Sequence, residues 1–377
     1  MSGIADRLRL DMILYTPILQ ARLGEFTALD HVPAGEFVNV MPLFEVASSK
    51  RGTIADTYAF FKRTSKRLPA ELRIAVDLHG HPDFLPGTRQ PTIGLLEDLN
   101  AWGIPALPVI HMDDSHRRLA DFAGIATRTG LGAAIRLTSL TEPGAVRATS
   151  TTLRAMHSQT GLQPQSCDLL IDFGLLASRQ TIDQLSTRLR AVIDWTLHGG
   201  WRSVTLAAGS LPADMSRFPT GRATLLPRLE SMLWNQQGRA GLGFGDYGVQ
   251  SPTTRRRAFA RRPLPNLRYT TDDAWHVYRW PHVTETNELG MYALCRAVAA
   301  AHLATADSAL ISWGDAEILK RAANRASAGN PTDWVAWSTS HHLAQVRRWL
   351  NATPAPSTRI PGQRRTLDGQ LLEHPDF

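Results

Sequence analysis

Ionisable side chains close most of the short apolar, β-rich runs in this sequence of 377 residues. Asp77 and His79 lie two residues apart, as do His111 and Asp113, so each pair would point to one face of a strand. A charge beside a buried strand is unfavourable unless it is paired or used in chemistry. We therefore predict one site on which such side chains converge. Its predicted catalytic residues are Glu45, Asp77, His79, Arg136, Asp172 and Asp246.

The acids and histidines of this set are suited to metal binding or proton transfer. Asp77, Asp172 and Asp246 would hold a divalent metal or act as acid and base, because carboxylate oxygens suit Mg²⁺ and Mn²⁺ while imidazole suits Zn²⁺. His79 or His111 would move protons. None of these residues belongs to a specific metal motif such as HExxH. A divalent metal is therefore an expected cofactor of open identity.

Arg136 is the one arginine of the predicted catalytic set, and two roles are open for it. It would stabilise negative charge that develops during a reaction. Alternatively, it would form a ring of mutually satisfied salt bridges with Asp172 or Glu45, which closes the end of the sheet without catalysing anything.

Positive charge is concentrated in the segment TRRRAFARRPLPNLRY, which contains six arginines and no acid. The whole chain has a net charge of +7 and a pI of about 9.8, so the remainder is close to neutral. Arginine makes bidentate contacts with phosphate oxygens, which predicts a ligand such as a nucleotide or nucleic acid. A basic surface loop or a contact with an acidic partner chain is the alternative. The predicted phosphate-binding residues are Arg255, Arg256, Arg257 and Arg268.

These residues are positioned by eight β-rich runs that start about 33 residues apart on average, with predicted helices between them. The alternation favours an α/β fold, a (β/α)8 TIM-like barrel, whose active site would lie beyond the carboxyl ends of the strands. A doubly wound open sheet is the second possibility, but no glycine-rich fingerprint follows the first run. The predicted strands are 12–19, 37–46, 73–78, 106–112, 133–137, 168–173, 203–208 and 241–248.

The pattern predicts a barrel over residues 11–250, a C-terminal α/β extension packed on it over 251–350, and a flexible tail over 351–377. Within the barrel, residues 223–235 are predicted to be helical. In the extension, helices are predicted over 287–304, 315–328 and 341–350, and a strand over 334–338.

Composition predicts a globular cytoplasmic protein with no membrane contact. Hydrophobic residues make up 43% and charged residues 20% of the chain, and no apolar run is long enough to span a bilayer. The first residues lack the pattern of a signal peptide. The two cysteines, Cys167 and Cys295, are expected to be buried free thiols.

Several distinctive runs extend from Tyr15 to His342, namely YTPILQARLGEFTAL, PLFEV, IRL, DLLIDFG, FGDYGVQSP, LRYTTDDAW and GNPTDWVAWSTSHH. As a set they resemble the beta protein family of bacteria and phages. Gln20 departs from the family pattern, in which a basic residue is usual. The resemblance implies a phage-defence or mobile-element setting with a partner protein or nucleic acid. It singles out Arg22, Glu25, Glu45, Arg136, Asp172, Asp246, Tyr247, Arg268, Tyr269, Gly329, Asn330, Trp334 and His341.

Two hypotheses about function follow from these observations. The first is a hydrolase that acts on a phosphate-containing substrate, such as a nucleotide or nucleic acid. The second is a non-catalytic binding or scaffold protein, which recruits a partner protein or nucleic acid through its arginine-rich segment.

Overall fold

Eight parallel strands form a closed barrel in the computed structural model, which describes residues 13–85, 90–138, 145–238, 240–253, 263–303 and 310–353. The first and last barrel strands pair directly, with Tyr15 opposite Phe244, so the sheet has no open edge. This confirms the predicted (β/α)8 barrel and excludes the doubly wound sheet. The barrel strands are β1 (Tyr15–Leu19), β2 (Leu43–Glu45), β3 (Ile74–Asp77), β4 (Ala106–His111), β5 (Ala133–Leu137), β6 (Cys167–Leu175), β7 (Ser203–Gly209) and β9 (Leu242–Asp246), and β8 (Arg222–Pro227) lies outside the barrel.

Seven helices surround the barrel strands in the described part of the chain. Their ends follow local capping chemistry: Ser115 accepts a hydrogen bond from the Arg118 amide at the start of the fourth helix, and Gly130 adopts a left-handed conformation at its end. The helices are α1 (Leu23–Asp30), α2 (Thr53–Arg67), α3 (Pro91–Ala101), α4 (His116–Thr129), α5 (Ala145–Thr160), α6 (Arg179–Leu197) and α7 (Leu229–Gln237).

Alternate residues of each barrel strand face inward or toward the helices. Phe44, Val76 and Phe244 point outward into the large core between strands and helices. A smaller apolar cluster fills the barrel interior and includes Ile18, Leu43, Ala75, Val109, Ala134 and Leu170. The residue two positions further along a strand faces the same way. Because of this period of two, the polar side chains at the ends of β2 to β6 point into the barrel mouth.

The C-terminal extension combines a three-stranded antiparallel sheet with three helices. Its sheet contains β10 (Asn266–Thr270), β11 (Ala274–Arg279) and β8 in the order β10, β11, β8. Its helices are α8 (Gly290–His302), α9 (Trp313–Ala322) and α10 (Pro331–Ala352). The long helix α10 packs against both α1 and β10, so it joins the extension to the barrel.

Two predicted elements are wrong. Residues 222–227 form strand β8 instead of the start of a helix, because they pair with β11, which follows much later in the chain. The predicted strand over 334–338 lies inside α10. Its tryptophans and valine favour a strand locally, but Asn330 caps the helix, Pro331 occupies its first turn, and Trp334 and Trp337 pack into the extension core.

Two predictions concern residues for which the description is incomplete. Arg255, Arg256 and Arg257 lie outside the described residues, as does nearly all of the tail predicted over 351–377. Within the described ranges, no helix has both the length and the apolar character required to cross a bilayer.

Candidate functional site

Arg136 holds three carboxylates together at the carboxyl end of the barrel. Its Nη1 lies 2.7 Å from Asp77 Oδ2 and 2.9 Å from Glu45 Oε1. Its Nε and Nη2 donate to Asp172 Oδ2 at 2.9 and 2.7 Å, and Nη2 also donates to the Tyr247 hydroxyl at 2.9 Å. A guanidinium has five N–H groups. Four of these contacts are hydrogen bonds and the contact with Glu45 is an ion pair, so each nitrogen of Arg136 already contacts a carboxylate.

The buried charges of this group shift one another's pKa. Burial would raise the pKa of Asp77, but the hydrogen bond from His111 and the charge of Arg136 hold it well below its usual range. Burial opposes protonation of His111, yet the hydrogen bond and charge of Asp77 raise its pKa above the usual value. For Glu45, burial outweighs the attraction of Arg136 and the pKa is raised. The ring therefore contains carboxylates of different basicity.

Two histidines lie beside this ring, at the ends of β3 and β4. The imidazoles of His79 and His111 stack with centroids 4.2 Å apart. His111 Nε2 lies 2.9 Å from Asp77 Oδ2, and His79 Nδ1 lies 3.1 Å from Asp114 Oδ1. Asp113 is close to the pair, with Oδ2 3.8 Å from His79 Nε2. One nitrogen of each imidazole thus contacts a buried carboxylate, and the other nitrogen does not.

An open pocket of about 890 Å³ lies above the ring and the histidines. Glu45, Asp77 and Arg136 form its floor, and His79 and His111 form one wall. A pocket at the carboxyl end of the strands is where TIM-like barrels bind their ligands. Its volume is sufficient for a small molecule or a nucleotide.

Two arginines lie at the side of the pocket near β1. Arg22 lines the pocket, whereas Arg268 on β10 does not line it and lies close enough to Arg22 for the two charges to interact. Burial, followed by the positive charge of Arg22, lowers the pKa of Arg268 to about 10. Arg268 as a residue is half-buried, whereas its Nε atom is fully buried and has no hydrogen-bond partner among the described residues. An anion beside these two guanidinium groups would offset their repulsion.

Glu25 fixes the backbone that carries Arg22. Its carboxylate accepts hydrogen bonds from the Gln20 amide at 3.2 Å and the Arg22 amide at 2.8 Å, at the start of α1. Burial raises the pKa of Glu25 to about 7. The residue orients the entry to α1 and does not line the pocket.

The family model of the beta protein matches residues 15–348 of this chain. The chain belongs to the beta protein family. The resemblance seen in the sequence is thereby confirmed, over a range that includes the barrel and most of the extension. No curated protein matches this family member.

Three solved structures that are similar to this beta-family chain have low sequence identity to it. Triosephosphate isomerase from Bartonella henselae is 12% identical, with 64% of this chain and 95% of that chain covered and a TM-score of 0.36. The carboxyl transferase domain of Rhizobium etli pyruvate carboxylase is 12% identical, with coverages of 55% and 41% and a TM-score of 0.30. Alanine racemase from Clostridium difficile 630 is 11% identical, with coverages of 76% and 83% and a TM-score of 0.29.

Asp246 lies apart from the other predicted catalytic residues of this beta-family chain. It points away from the barrel interior, because its neighbour Tyr247 points inward. Its Oδ1 accepts hydrogen bonds from the Tyr15 hydroxyl and the Gly248 amide, both at 3.0 Å, and its Oδ2 lies 2.9 Å from His342 Nε2. The expectation that Asp246 joins the pocket is wrong, and the residue binds the barrel to the extension.

The three aspartates predicted to share a metal do not surround one point. Arg136 lies between Asp77 and Asp172 and donates hydrogen bonds to Oδ2 of each. Asp246 points to the other side of its strand. By contrast, Glu45, Asp77, His79, Arg136 and Asp172 do converge on the mouth as predicted, although Arg136 pairs in the way that the salt-bridge alternative describes.

Sequence reasoning missed the contribution of Asp114 and His342. Asp114 follows His111 and Asp113 in the run VIHMDD, so its proximity to the site was visible. His342 ends the run GNPTDWVAWSTSHH, but nothing in that run indicates its partner Asp246, which is distant in sequence. Its neighbour His341 turns elsewhere and stacks on Tyr269, as expected for adjacent residues of a helix.

Proposed function

We propose that this member of the beta protein family is a hydrolase that acts on a phosphate-containing substrate in the pocket at the barrel mouth. The observation that carries the proposal is the pair of stacked imidazoles, His79 and His111, each held by a carboxylate at the floor or wall of an open pocket. An imidazole oriented in this way can activate a water molecule for attack, either by taking its proton or by holding a metal that acidifies it.

Arg22 and Arg268 are the proposed contacts for the phosphate group. Arg22 lines the pocket near β1, the charge of Arg22 acts on Arg268, and an anion between the two would relieve their mutual repulsion. Arg136 is proposed to position Asp77 and Asp172, since each of its nitrogens already contacts a carboxylate.

A nucleotide or nucleic acid in a phage-defence or mobile-element setting is the substrate class we propose. The charge of Arg255, Arg256 and Arg257 supports this choice, because a basic segment after the last barrel strand would extend the contact along a polyanion.

Hydrolysis is tested with p-nitrophenyl phosphate, bis(p-nitrophenyl) phosphate, nucleoside triphosphates and short oligonucleotides, with product release as the measurement. His111→Asn is expected to reduce the rate by about 10² to 10⁴-fold, the usual contribution of such a group. The matched control is His198→Asn, an exposed histidine at the end of α6 on the opposite face of the barrel. A rate unchanged in the His111 variant, or no turnover of any phosphate ester, would refute the proposal.

Binding is tested separately through its dependence on salt. Arg268→Met is expected to weaken the binding of nucleotides and oligonucleotides and to lower the slope of log K against log salt by about 1. Joint replacement of Arg255, Arg256 and Arg257 by alanine is expected to flatten that slope further. Arg190→Met, on the exposed face of α6, is the control and should change neither value.

The second candidate is a non-catalytic barrel that recruits a partner protein or nucleic acid. The complete internal pairing of Arg136 favours it, since a ring of this kind can exist for stability alone. Salt-dependent binding without turnover of any phosphate ester would favour this candidate over the hydrolase.

A further inference from the structure

Three potential metal ligands lie together at the mouth of the barrel. His79, His111 and Asp113 each place one ligand atom within 4.8 Å of the others. They come from two neighbouring strand ends, because β3 and β4 are hydrogen-bonded to each other. A set of ligands on adjacent strand ends is held by the sheet itself, which limits how far they can separate.

The carboxylates behind the two imidazoles are arranged reciprocally. Asp77 lies 2.9 Å from the His111 ring and accepts a hydrogen bond from the His79 amide at 3.0 Å. Asp114 lies 3.1 Å from the His79 ring and accepts a hydrogen bond from the His111 amide at 2.7 Å. Each aspartate thus braces the backbone of one histidine and the ring of the other. Histidines that ligate metals nearly always have such a carboxylate or carbonyl on the second ring nitrogen.

This bracing selects the nitrogens that face outward. With His111 Nε2 on Asp77 and His79 Nδ1 on Asp114, the remaining atoms are His111 Nδ1 and His79 Nε2. His79 Nε2 is the nitrogen near Asp113, at 3.8 Å from Oδ2. The Asp113 side chain is 77% exposed and can move toward the pair at little cost.

We propose that His79, His111 and Asp113 bind one first-row divalent transition metal, and that zinc fits the donor set. Two imidazole nitrogens and one carboxylate oxygen suit zinc, whereas magnesium prefers oxygen ligands alone. Zinc bonds of about 2.0–2.1 Å place tetrahedral ligands roughly 3.3 Å apart, so Asp113 closes onto the ion on binding. Three protein ligands leave one position for water.

The position of this site gives the metal a use in the reaction. A bound divalent metal lowers the pKa of its water, and the water would lie in the pocket between the histidines and Arg22. This use rests on the proposed hydrolase function, whereas the binding site itself does not.

Metal binding is measured on the full-length, untagged protein by elemental analysis after dialysis and by calorimetric titration with Zn²⁺. About one equivalent per chain is expected for the wild type and for His198→Asn. His79→Asn together with His111→Asn should abolish stoichiometric binding, and Asp114→Asn, which leaves the ligands in place, should weaken the affinity by about 10 to 100-fold. Co²⁺ in place of Zn²⁺ should give the visible absorption of a tetrahedral site.

Asp113→Asn keeps the test decisive if the double histidine variant does not fold, because an exposed side chain can be changed without disturbing the core. It should weaken Zn²⁺ binding while the melting temperature of the metal-free protein stays the same. Absence of stoichiometric metal in the wild type would overturn the inference, as would full binding in either the Asp113 or the double variant. Hydrolysis that persists in EDTA would overturn the catalytic use of the metal and leave the hydrolase proposal standing.

Discussion

Replacement of Arg136 by methionine is the perturbation that tests the ring at the barrel mouth most directly. The change removes the guanidinium from a buried position while a side chain of similar length fills its space. Asp77, Asp172 and Glu45 then lose the positive charge that lies 2.7 to 2.9 Å from them. His111 continues to support Asp77, but no other cation is in contact with Asp172 among the described residues.

The cost depends on pH because a carboxylate without its partner can take up a proton. Breaking a buried ion pair costs about 3–5 kcal/mol. Protonating a carboxyl group of unfolded pKa near 4 costs about 4 kcal/mol at pH 7 and about 1.5 kcal/mol at pH 5, which sets an upper limit for each group. We expect Arg136→Met to lose about 4–6 kcal/mol at pH 8 and at least 2 kcal/mol less at pH 5.

The sign of this dependence follows from the direction of each pKa. In the wild type the pKa of Asp77 is lowered, so its contribution to stability is present above the unfolded pKa and is lost as the pH falls. In the variant, we expect burial without Arg136 to raise the pKa of Asp77 and to raise that of Glu45 further. Their unfavourable contribution therefore grows as the pH rises, and the two stability curves diverge between about pH 4 and 8.

The assay is urea unfolding followed by tryptophan fluorescence at several pH values, for which the chain supplies ten tryptophans. Arg202→Met is the matched control. It removes a guanidinium 2.6 Å from Asp168 at the opposite end of the barrel, where Arg73 and Ser203 still contact that carboxylate. Its loss should be smaller and nearly independent of pH. A loss below about 1 kcal/mol at pH 8 for Arg136→Met, or equal losses at pH 5 and 8, would refute the reasoning.

Three further buried positions provide separate tests of the structure by chemical denaturation. His342→Ala leaves Asp246 without its imidazole partner and should cost about 3 kcal/mol; a loss under about 1 kcal/mol would contradict the observed contact. The pKa of Glu25 is raised from 4.5 to about 7, so its contribution is present below the unfolded pKa and is lost as the pH rises toward 7. Between pH 5 and 8 the free energy of unfolding of the wild type should therefore fall by about 2 kcal/mol more than that of Glu25→Gln. Parallel plots of unfolding free energy against pH for the two proteins would exclude this. Gly132 has a φ of +73°, and a Cβ there would lie 1.7 Å from a backbone oxygen. Gly132→Ala should cost at least about 3 kcal/mol, whereas Gly35→Ala, in open space, should cost little.

The sequence by itself determined the architecture of the barrel. Strand and helix periods are local, so the eight runs and the helices between them could be recognised without knowledge of any contact. The period of two also placed Asp77 with His79 and His111 with Asp113 near strand ends. Convergence of Glu45, Asp77, Arg136 and Asp172 then followed from closing a parallel barrel, because all carboxyl ends meet at one face.

Only the tertiary structure decided which partner each of these side chains has. Asp246 is the last residue of β9 and Tyr247 follows it directly. The register that places Asp246 opposite Pro17 turns the tyrosine into the barrel and the aspartate toward His342. The local sequence of β8 predicts a helix, but the segment forms a strand because β11 supplies its hydrogen bonds. The bracing of His79 and His111 by Asp114 and Asp77 likewise depends on two loops that meet at one edge. A local pattern predicts which residues are buried. The contact that satisfies a buried charge comes from distant parts of the chain and is fixed only when the fold closes.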